Sequence, residues 1–377
     1  MTQSKSRIHA DPAIFFFDED QEDQFDRLPD PLIVVILNKL SDVRSLGRCL
    51  AVSRRFNSLV PMVTDIFVRI DRVVTSDGPG CAGDSDETLT LTSTKPRSLF
   101  SHFLKLMLFT ILKPLNHLHG GVSGPNRPLL PQLSHHSPVQ VLKNFTNVEN
   151  LRIELPAGDV GTEEGVILKW RAEFGSTLQN CVILGGTRMD HKPVPDNATI
   201  TSSLSPEENN GSIPESFYTN GGLKLRVVWT ISSLIAASTR HYLLRQIIKE
   251  HPTLKSLVLT DADGQGTLIM GKEQLKEFRE KPLAPSASSS RTQVPASNMK
   301  LRYAPYLELP GGVGIQGATL VTIRPATDGN ANSGNGNNGS GKKDSEAFVS
   351  GSFEGAYKDA VKALLKRRTY LLEMNGF

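Results

Sequence analysis

The string closest to a ligating site runs Asp261-Ala262-Asp263-Gly264-Gln265-Gly266-Thr267-Leu268. Counted from Asp261, it matches the start of a calcium loop: carboxylates at positions 1 and 3, glycine at 6, an aliphatic residue at 8. A hard cation needs such oxygens, and the glycine permits the sharp bend. The match then fails. Position 5 is Gln265, and position 12, where a bidentate glutamate should close the shell, is Lys272. An ammonium there repels a cation, and Glu273 comes one residue late. Leu254 to Thr260 reads as a strand, whereas a calcium hand enters its loop from a helix. Asp and Gly in a strand-to-helix turn account for the string better.

Other reactive patterns are weaker. Gly311-Gly312-Val313-Gly314-Ile315-Gln316-Gly317 is glycine-rich, but it precedes a strand-like Thr319 to Ile323. A phosphate-cradling loop would open a helix, so a tight hairpin or bulge is expected. His135-His136 sits in a proline-rich stretch and reads as solvated. There is no P-loop, no G-x-S-x-G and no His/Cys cluster at metal spacing. Three cysteines, Cys49, Cys81 and Cys181, form neither a disulfide framework nor a four-cysteine zinc site. The residues predict no enzyme, no cofactor and no metal, and a reducing compartment, nucleus and cytoplasm.

The elements around these strings fill 377 residues, enough for two or three domains. Lys and Arg number 42 against 39 Asp and Glu, a net +3. That lacks the basic excess by which a dedicated nucleic-acid binder neutralises phosphates. Met1 to Arg7 leads into no apolar signal core. The apolar run Leu99 to Leu118 is broken by His102, Lys105, Lys113 and Pro114, so no membrane span is expected.

Residues 1–24 form an acidic arm, read as disordered, in which Ile14-Phe15-Phe16-Phe17 is a possible docking motif. Residues 25–61 differ. Pro31 suits the start of a helix, on which Ile33, Ile36, Leu37 and Leu40 share a face. Leu32, Val34 and Val35 widen that apolar surface. Ser41 or Asp42 can cap a second helix carrying Val43, Leu46, Cys49 and Leu50. Ser53 can cap a third carrying Phe56, Leu59 and Val60, which Pro61 stops. A unit this small seldom stands alone without a staple. With more apolar surface than one small core requires, it predicts a partner that covers the excess.

Residues 62–325 alternate strand-like and helix-like segments. Val148-x-x-Leu151-x-Ile153, Leu178-x-x-Cys181-x-Ile183 and Leu254-x-x-Leu257-x-Leu259 fit L-x-x-L-x-L, and Leu223-x-Leu225 and Leu301-x-Tyr303 echo it. Val166, Trp170 and Phe174 stand at helical spacing between copies, and Ile231 to Ile248 line a longer helix ending near His251-Pro252. The expectation is an α+β chain in which three N-terminal helices precede an irregular leucine-rich-repeat-like α/β solenoid; an ordinary mixed α/β domain is the alternative. Loop insertions are expected at 75–98, 119–138, 185–220 and 281–299, and a helix at 99–118. A Gly/Asn-rich linker follows at 326–345, then a C-terminal helix within 346–377 carrying Tyr357, Val361, Leu364, Leu365 and Leu371. Lys366-Arg367-Arg368 suits that helix's C-terminus.

Leu28-Pro29-Asp30, Ile36-Leu37, Leu40, Leu46 and Val52-Ser53-Arg54-Arg55-Phe56 together resemble an F-box, in order and spacing, with Phe56 where the family usually has Trp. Arg48-Cys49, Ser53 to Val63, Asp261-Ala-Asp-Gly-Gln-Gly and the closing Met374-Asn-Gly-Phe further resemble the plant subfamily of auxin up-regulated F-box proteins. The resemblance implies a three-helix unit that docks on a Skp1-type adaptor and, through it, a cullin-RING ligase. The implied adaptor contacts are Leu28, Pro29, Leu32, Ile33, Ile36, Leu37, Val52, Phe56 and Leu59, some of which will serve as core. Region 62–325 would select a target protein for ubiquitination. A scaffold without ubiquitination and a small-molecule hormone sensor are the alternatives.

Overall fold

The computed structural model describes residues 24–70, 141–158, 165–189, 212–281, 291–310, 312, 314–326 and 346–377. The features expected at 75–98, 99–118 and 119–138 lie outside the described residues. So do Cys81, His135-His136, residues 327–345, nearly all of the acidic arm and much of the 185–220 insertion.

Three helices lead, α1 (Asp30–Leu40), α2 (Val43–Leu50) and α3 (Arg54–Leu59), followed by β1 (Asp65–Arg69). Then come β2 (Asn150–Leu155), β3 (Val166–Phe174), β4 (Leu178–Met189), α4 (Gly222–Glu250), β5 (Ser256–Asp261) and β6 (Gly266–Met270). The chain ends with α5 (Lys272–Glu280), β7 (Ser297–Glu308), β8 (Gly314–Pro325), α6 (Gly355–Leu365) and β9 (Tyr370–Met374).

The strands form one mixed sheet in the order β1-β2-β5-β6-β3-β4-β8-β7-β9. β1, β2 and β5 run parallel and in register, so Ile66, Leu151 and Leu257 line up, as do Val68, Ile153 and Leu259. From β3 to β9 every pairing is antiparallel. The two halves meet where β6 pairs parallel with β3, Gly266–Ile269 against Trp170–Glu173.

This corrects the solenoid. Stacked repeats would place every strand parallel to the one before. Two L-x-x-L-x-L copies obey, in β2 and β5. The third occupies β4, which is antiparallel to both neighbours. Leu223-x-Leu225 lies in α4 and Leu301-x-Tyr303 in β7. The motif marks an amphipathic strand entry, and such entries serve either direction of pairing. Val166, Trp170 and Phe174 fall on a strand, because a spacing of four is also a multiple of the strand period of two. Leu168, Trp170, Ala172 and Phe174 all point into one core. The C-terminal helix likewise stops at Leu365, and Leu371 belongs to β9. The glycine-rich stretch is the β7–β8 hairpin, with Gly312 at φ +81°.

α4 covers one face of the sheet and α6 part of the other. β4 shows the division: Cys181 and Ile183 pack on the α4 side, Val182 and Leu184 on the α6 side. Burial pushes the Cys181 thiol up to about 12, so it behaves as a small hydrophobe.

The Asp261–Leu268 string sits at the junction of the two halves, as a turn from strand to strand. Asp261 is buried and its carboxylate meets the Arg240 guanidinium of α4 at 2.7 and 3.2 Å. It also accepts the Gly266 N–H at 2.8 Å. Burial pushes its carboxyl above the usual range, against the pull of Arg240 and Gly266. Arg240 lies 4.8 Å over the Trp170 ring. A Cβ on Gly266 would stand 2.2 Å from that ring, so only glycine fits. Asp263 accepts the N–H groups of Gln265 (3.0 Å) and Gly158 (3.2 Å). Lys169 Nζ donates to the carbonyls of Asp263 and Gly264 at 3.3 and 3.0 Å. The oxygens of the loop are thus held by the protein's own donors: the Asp261 carboxylate by Arg240 and Gly266, the Asp263 carboxylate by two backbone N–H groups, and two carbonyls by Lys169. Among the described residues no group of three or more His, Cys, Asp or Glu side chains could hold a metal ion.

His241 of α4 is a second pin. It bridges Thr292 Oγ1 (2.7 Å) and the Gly175 carbonyl (3.0 Å) and stacks on Phe174. Burial lowers its pKa to about 4, although the Gly175 carbonyl opposes the shift.

Candidate partner-binding surface

The N-terminal unit is assembled by local signals. α1 starts behind Pro29, with Pro31 in its first turn, and ends at Ser41 in the left-handed region, φ 47°. The Ser41 N–H satisfies the Leu37 carbonyl. Asp42, rather than Ser41, caps α2 through the Ser45 N–H at 2.9 Å. Burial works against the Asp42 charge, but the Ser45 donors and Arg44 outweigh it and hold the carboxyl below its usual value. Ser53 caps α3 through the Phe56 N–H.

One face of this unit is consumed by the sheet. Ile33, Leu37, Val43, Leu46, Phe56, Leu59 and Val60 share a single buried cluster with Ile66, Val68, Leu151 and Ile153. Polar contacts reinforce it. Asn38 Oδ1 accepts the Thr64 N–H at 2.8 Å, and the Phe67 N–H reaches the Ser41 carbonyl at 2.8 Å. The small unit therefore gains its missing core from β1 and β2.

The other face is open. Leu32 (51% exposed), Val35 (54%), Ile36 (42%) and Leu40 (41%) run along α1, and Val52 (67%) stands in the α2–α3 turn. Of the implied contacts, Pro29, Leu32, Ile36 and Val52 are exposed and Leu28 is half-buried. Ile33, Leu37, Phe56 and Leu59 lie inside. The helical period makes this division: residues one apart on α1 point about 100° apart, so Leu32 faces out where Ile33 faces in.

Sequence reading gave Arg55 no role of its own. Its guanidinium binds Asp30 at 2.7 and 2.8 Å, the Phe25 carbonyl at 2.8 Å and the Leu28 carbonyl. It thereby clamps the Leu28-Pro29-Asp30 entry of α1 onto α3. Phe25 packs edge-to-face on Phe56, centroids 5.6 Å apart. The signal was present, an Arg adjacent to the aromatic plug, but only the fold brings residue 55 to residue 30.

Residues 25–67 match the F-box-like family, which ends on the strand that completes the core just described. F-box protein At4g18380 of Arabidopsis thaliana is 48% identical across 99% of this chain and 97% of its own length. F-box protein At5g46170 of the same plant is 49% identical with the same coverage. The chain belongs to the F-box proteins. F-box protein AUF1 of Arabidopsis, 37% identical over 94% of this chain and 100% of its own, carries the likeness into the auxin up-regulated group. No solved structure matches the chain. F-box proteins generally act in SCF ubiquitin ligases as non-catalytic subunits, and the F-box implies binding of a Skp1 adaptor. The outward stripe of α1 is exposed, and the inward stripe is its attachment to the sheet.

Proposed function

We propose that this F-box protein is the substrate-recognition subunit of an SCF ubiquitin ligase, acting in the nucleus and cytoplasm. The F-box docks on a Skp1-type adaptor, and the sheet domain holds a target protein for ubiquitination and degradation. The observation that carries the reading is the apolar stripe Leu32, Val35, Ile36 and Leu40 with Val52, exposed on a unit whose opposite face is committed to the core. Covering a half-exposed aliphatic side chain contributes about 1 kcal/mol, so five of them supply several kcal/mol toward docking.

The chain's role is positional. It raises the local concentration of target lysines near the ubiquitin-charged partner and breaks no bond itself. The continuous core between F-box and sheet supports this, since a stiff connection holds that geometry.

The test is co-expression with a plant Skp1-type adaptor, followed by gel filtration and calorimetry, with Leu32→Asp/Ile36→Asp as the control. Both positions are exposed, so the variant should fold. A one-to-one complex that the variant weakens at least 100-fold is expected. Adaptor binding that survives the double charge would overturn the docking surface.

A further inference from the structure

The two edges of the sheet are finished differently. At β1, the α1–α2 junction closes the edge: Phe67 donates to the Ser41 carbonyl and bridges Asp42. At β9, among the described residues, nothing pairs with the outer edge. Free edges in soluble proteins are commonly blunted by lysine, proline or a bulge. β9 instead reads Tyr370-Leu371-Leu372-Glu373-Met374, with Leu371 75% exposed.

A cavity of 840 Å³ opens beside this edge. Register places Val182, Thr322, Lys300 and Leu371 side by side across β4, β8, β7 and β9, and Arg324, Asn298 and Glu373 in the neighbouring row across β8, β7 and β9. Phe348 and Val349 also line the cavity. Lys300 and Arg324 are exposed and have no ion-pair partner among the described residues. Exposed Lys366 and Arg367 precede the strand, and Glu373 is the acid on the cavity's lining. Among the described residues the opening thus combines a strand edge without a neighbour, apolar footholds and an excess of cationic over acidic side chains.

We propose that β9 and this cavity receive an extended acidic-apolar segment of a partner protein as a tenth strand. The backbone of the segment pairs with β9, its carboxylates point to the face that Leu371 shares with Lys300 and Arg324 and toward the Lys366-Arg367 approach, and its alternate apolar side chains lie on the opposite face beside Leu372. The proposal deepens the target-receptor reading and rests on it, since it assigns the target's docking motif to the end of the sheet remote from the F-box.

The test measures fluorescence polarisation of labelled ten-residue peptides alternating Val with Glu, Lys or Ser, on the full chain bound to Skp1-type adaptor. The Glu peptide should bind at least tenfold more tightly than the Ser peptide, and the Lys peptide most weakly. Lys300→Glu/Arg324→Glu should invert the order of Glu and Lys peptides while leaving adaptor association unchanged. N-methylation of one alternate set of peptide nitrogens should cost at least tenfold, and of the other set little, because only one set faces β9. Equal binding by the three peptides, no binding by any, or equal loss from both N-methyl sets would overturn the proposal. Deleting residues 1–23 should leave affinity unchanged. A tenfold gain would mean that the chain's own acidic arm occupies the edge, which also overturns it. Adaptor association, read separately by gel filtration, tells failure at β9 from failure of the receptor reading.

Discussion

The F-box end and the β9 end of this molecule present surface in opposite ways. At the first, side chains are displayed on a helix whose backbone is already satisfied and whose back is buried in a shared core. At the second, among the described residues, no strand pairs with the outer edge of β9, beside a charged cavity. A helix face selects by shape and apolar fit, whereas a strand edge supplies generic hydrogen bonds and leaves selectivity to flanking side chains. The parallel strands β1, β2 and β5 back the helix face, the antiparallel run from β3 ends at β9, and β6, antiparallel to β5 and parallel to β3, joins them.

The strongest way to break the comparison is to cut that joint. Arg240→Ala leaves the Asp261 carboxylate buried and unpaired. A loss of about 3–5 kcal/mol is expected in urea unfolding. If the joint is what couples the halves, hydrogen exchange should accelerate in β3 and β6 before it does in β1.

Next comes the pair Leu37 and Leu32, on opposite sides of α1. Leu37→Ala should cost about 2–5 kcal/mol of stability, since that side chain is fully packed. Leu32→Ala should change stability by less than about 0.5 kcal/mol and appear instead as weaker adaptor binding in calorimetry. Equal melting shifts for the two would mean that the outward stripe is core.

Acid sharpens the difference between the pinned centre and the exposed ends. His241 has a folded pKa of about 4 against an ordinary 6.5, so the unfolded chain takes up the proton first. Its contribution is complete above pH 6.5 and is lost as pH falls from there toward 4, about 3 kcal/mol in all. Urea midpoints of wild type and His241→Phe between pH 7 and 4.5 should converge as the pH drops.

The clamp at the entry of α1 is smaller. Arg55→Ala should cost about 1 kcal/mol, because solvent screens its partly exposed pair with Asp30. Adaptor affinity should fall several-fold even so, since the turn it holds carries Pro29 and Leu28. The smallest effect is at the far edge. Leu371→Lys should leave stability and adaptor binding within error, because that side chain is exposed. A large loss of stability would show that β9 carries the sheet rather than ending it.

How much of this was legible depended on the range of the signal. The helical unit could be read closely, because caps, prolines and the apolar period act within a few residues. Ser53 caps α3 as its type and position predict, Asp42 settles the choice that Ser41 left open, and α3 ends at Leu59 with a 3-10 turn running on through Pro61. α4 could be read from Ile231 to its end before His251 for the same reason, whereas its first turns, with Leu223 and Leu225, read as a strand. The division of α1 into inner and outer stripes could not, since Leu32 and Ile33 are chemically alike and only the position of β1 makes one of them core. The calcium-like string misled toward a strand-to-helix turn. The partner of Asp261 is Arg240, 21 residues earlier on α4, and no local pattern announces that ion pair.

By itself the sequence determined the F-box helices, their caps, the excess of apolar surface and the long α4, all set by interactions within one or two turns. The tertiary structure alone decided the direction of each strand, the loss of a repeat stack in favour of one mixed sheet, and, among the described residues, the contrast between a closed β1 edge and a β9 edge with no neighbour. Strand pairing joins residues far apart in the chain, and an amphipathic strand has the same alternating pattern whichever way its neighbour runs.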